Sequence, residues 1–105
     1  MKTVITSLGN NLEANFDLRF GRAKWFCVFD NSENEPKFIE NKFINDDGGV
    51  GPKVSEMLIE MGVTRIISGD FGPKAKDLLD KFKVQLVILK DEGNSINDII
   101  NKLKN

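Results

Sequence analysis

Residues 51–68 read GPKVSEMLIEMGVTRIIS and residues 72–89 read GPKAKDLLDKFKVQLVIL, and these two stretches decide the fold. In each, Gly-Pro-Lys opens a segment with apolar residues at helical spacing: Val54, Leu58 and Met61 in the first, Ala75, Leu78, Leu79 and Phe82 in the second. Pro52 and Pro73 suit the first position of a helix, where a missing N–H costs nothing, and Gly62 suits the end of the first helix. Strands are expected over 63–68 and 84–89, where β-branched and apolar residues follow each helix. At an offset of 21 residues Val54 matches Ala75, Leu58 matches Leu79, Met61 matches Phe82, and Val63, Ile66 and Ile67 match Val84, Val87 and Ile88. One helix–strand unit is written twice, by duplication or by convergence on a common helix start.

Working outward, residues 2–7 (KTVITS) are rich in β-branched side chains and read as a first strand. Residues 24–30 place Trp25, Cys27 and Phe29 on one face and Phe26 and Val28 on the other, so this second strand is expected to be covered from both sides. Asn31 to Pro36 read as a hairpin turn into an edge strand over 37–41. Ser95 and Asp98 have the spacing of a reciprocal N-cap pair, opening a last helix with Ile96, Ile99, Ile100 and Leu103 on its buried side. Alternating helices and strands imply a parallel sheet with right-handed crossovers, and the hairpin makes the second strand antiparallel. The loop after the first strand and both Gly-Pro-Lys helix starts then open on one sheet edge, where open α/β sheets bind ligands.

That edge collects cations. Arg19 and Arg22 are two of three arginines in the chain, and both fall in the first loop. Lys53 and Lys74 are expected at the second position of their helices, where a positive charge opposes the macrodipole by about 0.3–1 kcal/mol. An anionic ligand that gains from both lysines, the helix N-termini and the backbone of Gly48, Gly49 and Gly51 would explain them. The alternative is that the lysines are simply solvated and the glycines only permit turns. Phe20 and Phe71, each beside a loop glycine, are further candidates to face a ligand, whereas Trp25, Cys27 and the other phenylalanines read as core.

Composition excludes several chemistries. The 105 residues and 11.8 kDa suit a single domain, expected over 1–105. A net charge of -1 offers no global field for nucleic acid, and no apolar run approaches the roughly 20 residues of a membrane span. The opening Met1-Lys2-Thr3-Val4-Ile5 has no signal-peptide pattern, so a cytoplasmic protein is expected. With one cysteine, no histidine and no tyrosine, the chain lacks the parts for an intrachain disulfide, a Cys-x-x-Cys motif, a Ser-His-Asp or Cys-His nucleophile, or an ordinary structural zinc site.

The loop Asp17-Leu18-Arg19-Phe20-Gly21-Arg22-Ala23, the glycine-rich run before the first helix, and Gly69-Asp70-Phe71-Gly72-Pro73-Lys74-Ala75 together resemble the dinitrogenase iron-molybdenum cofactor biosynthesis family over about residues 1–90. The resemblance implies a three-layer ribonuclease H-like α/β fold with a five-stranded mixed sheet in the order 3-2-1-4-5, strand two antiparallel and helices on both faces. It implies a non-catalytic carrier of iron-molybdenum cofactor or an iron-sulfur precursor, working with cluster-assembly proteins. Taken with the cations, glycines and loop phenylalanines of that edge, the expected binding residues are Arg19, Phe20, Gly21, Arg22, Gly48, Gly49, Gly51, Lys53, Gly69, Phe71, Gly72 and Lys74. Many relatives carry histidines in the glycine-rich segment, which here reads NDDGGVG over 45–51, so the metal-ligating residues are not specified.

Three functions are compatible with the sequence: a metallocluster carrier, a binding or regulatory module for a small anion or protein partner, and an enzyme. A nuclease of the ribonuclease H type needs several carboxylates on the sheet edge to hold two divalent metals. The first strand supplies none, and Asp70 alone is insufficient.

Overall fold

A computed structural model describes residues 1–30, 35–90 and 93–104. In chain order the elements are β1 (Lys2–Ser7), β2 (Trp25–Asp30), β3 (Lys37–Glu40), α1 (Val50–Glu60), β4 (Arg65–Ser68), α2 (Pro73–Lys81), β5 (Gln85–Ile88) and α3 (Ile96–Lys104). The strands form one sheet in the order β3-β2-β1-β4-β5. β2 runs antiparallel to β1 and β3, while β1 pairs parallel with β4 and β4 with β5. The turn expected at 31–36 lies mostly outside the described residues, but the antiparallel β2–β3 pairing it required is present.

Alternation along the strands sorts side chains onto two cores. Val4, Phe26 and Ile66 face α1 and α2, together with Val54, Leu58, Ala75 and Leu79. Their neighbours Ile5, Cys27 and Ile67 face α3 with Ile96, Ile99 and Ile100. The register places Val4 between Val28 and Ile66, and Ile5 between Cys27 and Ile67, so β1 is buried at the centre of three layers. No described helix is long and apolar enough to cross a membrane.

The repeat is structural. After α1, Gly62 N–H donates to Ile59 O (3.0 Å) and Val63 N–H to Leu58 O (3.1 Å). After α2, Lys83 N–H donates to Asp80 O (3.0 Å) and Val84 N–H to Leu79 O (3.0 Å), the same cap 21 residues on. Gly62 has φ 81° and Lys83 φ 60°, so the second copy places a lysine where the first uses glycine.

Four details differ from the sequence reading. α1 starts at Val50, so Pro52 is its third residue and Lys53 its fourth. The first several amides of a helix have no intrahelical acceptor, so proline fits at the third position as well as at the first. Phe82 is 54% exposed, because α2 ends at Lys81 and the cap turns the chain before the apolar stripe is complete. Trp25 is half-buried and belongs to neither core, and β4 and β5 are shorter than 63–68 and 84–89.

Candidate functional site

β1, β3 and β4 end on one edge, and the loops that leave them are locked together there. Asp17 is 3% exposed, and its N–H donates to Thr6 O (3.0 Å). Thr6 Oγ1 donates to Asp17 O (2.5 Å) and lies 3.0 Å from Ser68 Oγ, tying the loop to the ends of β1 and β4. From this anchor the chain crosses the sheet edge: Leu18 packs on the α3 side and Phe20 on the α1–α2 side. Gly69 lies directly beneath, where a methyl group would meet Leu18 O at 2.5 Å. The crevice between β1 and β4, where crossovers diverge and ligands enter many open sheets, is filled by the protein's own chain.

The second loop hangs on Asn41, which is 1% exposed. Its Nδ2 donates to Gly21 O (2.8 Å) and Ala23 O (2.9 Å), and its Oδ1 accepts from Phe43 N–H (3.0 Å). Arg22 Nη1 donates to Ile44 O (2.7 Å) and Asp46 O (3.1 Å), and Lys53 Nζ lies 2.7 Å from Asp46 Oδ2. These bonds set the approach to Gly48 and Gly49, the latter at φ 67° as the N-cap of α1.

The starts of α1 and α2 touch. A methyl on Gly51 would lie 3.2 Å from Ala75 Cβ, and one on Gly21 would lie 3.1 Å from Gly51 N. Neither helix has a side-chain cap or an acid in its first turn. Among the described residues, the amides of Val50 and Gly51 on α1 and of Lys74 and Ala75 on α2 have no hydrogen-bond acceptor. α3 differs: Ile96 and Asn97 donate to Ala14 O and Leu12 O (both 2.9 Å), and Ser95 and Asp98 cap each other reciprocally. Two adjacent N-termini, each equivalent to roughly half a positive charge, are therefore left without a side-chain cap or an acid in the first turn.

The geometry divides the expected site residues. Gly48, Gly49 and Gly72 border open space, whereas Gly21, Gly51 and Gly69 are in close contact with other parts of the chain. Phe20 is 2% exposed and belongs to the core; half-buried Phe71 packs against it with ring centroids 5.0 Å apart and planes tilted by 40°. Lys74 is the second residue of α2, as expected, and makes no hydrogen bond or ion pair among the described residues. Lys53 is held by Asp46, and Arg22 is spent on two carbonyls. Arg19 pairs with Asp17 at 3.2 Å, which pushes its guanidinium pKa up through the hydrogen bond and then the charge. It lines a separate open cleft of about 480 Å³, walled by exposed Leu8 and by Phe16 and Leu18 of the α3-side core.

Cys27 is fully buried, and burial pushes its thiol from 9.0 up to about 12, so it is not a ready thiolate. No group of three or more His, Cys, Asp or Glu among the described residues could hold a metal ion. Sequence reasoning missed Asp17, Asn41 and Asp46. Asp17 had a readable signal, an acid two residues before Arg19 in an Asx-turn pattern, here closed by Asp17 Oδ1 accepting from Arg19 N–H (2.9 Å). Asn41 had none, because its acceptors come from a loop some twenty residues earlier.

The family model described as "Dinitrogenase iron-molybdenum cofactor" matches residues 1–105. Among solved structures, the apo form of the orange protein from Desulfovibrio gigas superimposes with a TM-score of 0.88 at 24% identity, covering 98% of this chain and 86% of that one. A candidate NifB protein from Thermotoga, of the DUF35 family, does so with a TM-score of 0.82 at 28% identity and the same 98% and 86% coverage. No curated protein sequence gives a significant match.

Proposed function

The chain belongs to the dinitrogenase iron-molybdenum cofactor family, and from that membership we propose that it is a non-catalytic carrier seating an anionic metallocluster on the paired N-termini of α1 and α2. The cargo is an iron-molybdenum or iron-sulfur cluster or a precursor of one, received from and passed to cluster-assembly proteins in the cytoplasm. The observation that carries the reading is the contact between two helix starts that are uncapped, free of acids and open at Gly48, Gly49 and Gly72. The donor set defines how cargo is held. With no histidine in the chain, a buried neutral Cys27 and no acidic cluster among the described residues, the described residues offer hydrogen bonds and charge but no metal ligand set. A cluster would arrive with its own sulfides and other ligands in place, and amides of α1 and α2 with Lys74 Nζ would bind its outer atoms.

Binding of this kind suits a protein that must release what it holds. Catalysis has no comparable support: among the described residues no group of three or more His, Cys, Asp or Glu could hold a metal ion for hydrolysis. The same amides would also accept a small oxyanion, which is the second reading. Anaerobic loading with tetrathiomolybdate or a reconstituted iron-sulfur cluster, followed by gel filtration and metal analysis, separates them. The carrier reading predicts metal and sulfide co-eluting with the chain and lost in Lys74→Glu. Retention of molybdate and citrate with no retention of the sulfur-bearing species would instead make it an oxyanion module.

A further inference from the structure

Three of the four cations that mark this edge in the sequence are engaged in the folded chain. Arg19 is paired with Asp17, Arg22 donates to two carbonyls, and Lys53 is paired with Asp46, leaving Lys74 without a partner among the described residues. Of the two carboxylates, Asp17 is buried beneath the first loop, whereas Asp46 lies beside the start of α1 with its side chain 36% exposed. Its backbone is fixed at both ends, since Asp46 N–H donates to Phe43 O (3.0 Å) and Asp46 O accepts from Arg22 (3.1 Å). The carboxylate is thus tethered within reach of Lys53 Nζ, on the helix whose Val50 and Gly51 amides have no acceptor among the described residues.

We propose that Asp46 is a specificity-determining counter-ion: it neutralises Lys53 in the free protein and so tunes the helix-terminus site to anions of low charge. This inference rests on the anion site of the preceding section. An incoming anion meets Lys74 and the two helix ends directly, but gains from Lys53 only by displacing a carboxylate that cannot diffuse away. Asp47 and Asp70, both exposed on the same loops, add to the local negative charge. A highly charged anion gains most from a free Lys53 and therefore loses most to Asp46. Because the pair is solvent-exposed, the competition is graded and reversible.

The test is calorimetric titration at low salt with molybdate, a dianion, and citrate, a trianion, on the parent, Asp46→Asn, Lys53→Met and the double variant, a double-mutant cycle. Asp46→Asn should raise affinity for molybdate about two- to five-fold, the scale of one exposed ion pair, and for citrate by more. In the Lys53→Met background the gain should fall by half or more. Equal gains in both backgrounds would show that Asp46 acts as a bare negative charge and overturn the pairing. Gains that ignore anion charge would indicate a loosened loop and overturn it too. If Lys74→Glu abolishes binding while Asp46→Asn leaves it unchanged, this inference fails and the anion site stands; if neither the parent nor Asp46→Asn binds either anion, both fail.

Discussion

Gly69→Ala places one methyl group where the first loop crosses the sheet edge. The new Cβ would lie 2.5 Å from Leu18 O, 2.6 Å from its Cα and 2.7 Å from its Cβ, all below van der Waals contact and two of them backbone atoms. The loop cannot retreat cheaply. Asp17 is bonded to Thr6 in both directions, Arg19 N–H is bonded to Asp17, and Phe20 is 2% exposed. Either those buried bonds break or the end of β4 shifts, and overpacking with loss of one buried hydrogen bond costs about 2–4 kcal/mol. In urea the midpoint should fall by roughly 1–2 M with an unchanged slope, and the melting temperature by roughly 10–20 °C. Gly72→Ala is the matched control three residues on: its φ of -63° suits alanine, nothing lies within 4 Å, and stability should stay within about 0.5 kcal/mol of the parent. If Gly69→Ala proves as stable as Gly72→Ala, the loop does not seal the crevice as described.

Lys83→Gly should stabilise the chain by about 0.5–1 kcal/mol, since relief of left-handed strain exceeds the added freedom of the unfolded glycine; an unchanged urea midpoint would refute this. Cys27 should resist a thiol reagent such as dithionitrobenzoate in the folded protein at pH 8 and react fully in urea, and rapid labelling of the native chain would contradict its burial. Its folded pKa of about 12 lies above the ordinary 9.0, so the neutral thiol is favoured on folding. That contribution is complete below pH 9 and declines as pH rises toward 12, so the stability difference between the parent and Cys27→Ala should narrow across that window.

Local pattern carried most of the fold. β-branched runs located β1 to the residue, alternation in β2 separated Phe26 from Cys27 onto opposite cores, and the Ser95–Asp98 spacing fixed the start of α3. The reading failed where tertiary closure chose among equal local options. Proline is as welcome at the third position of α1 as at the first, so the helix began earlier and Lys53 moved beside Asp46. The apolar stripe of α2 ran on to Phe82, past the cap that ends the helix. At the site, the glycines were visible but their duties were not. Only the folded chain distinguishes Gly69, pressed against Leu18, from Gly72, which faces open space. Likewise the cations were legible, but Asp46 as the partner of Lys53 was not, because pairing at a loop crossing leaves no periodic trace, whereas Asp17 left a local signal two residues before Arg19.

If the abutting starts of α1 and α2 hold an anion, Lys74→Glu should move stability and binding in opposite directions. At the second position of α2, with no partner among the described residues to lose, a glutamate complements the macrodipole and should stabilise the unliganded chain by about 0.3–1 kcal/mol. Thermal melts with and without molybdate at low salt should show the parent stabilised by ligand through mass action, an effect that shrinks as salt is added, and the variant no longer responding. A parent that ignores molybdate, or a Lys74→Glu variant that responds as the parent does, would contradict the account.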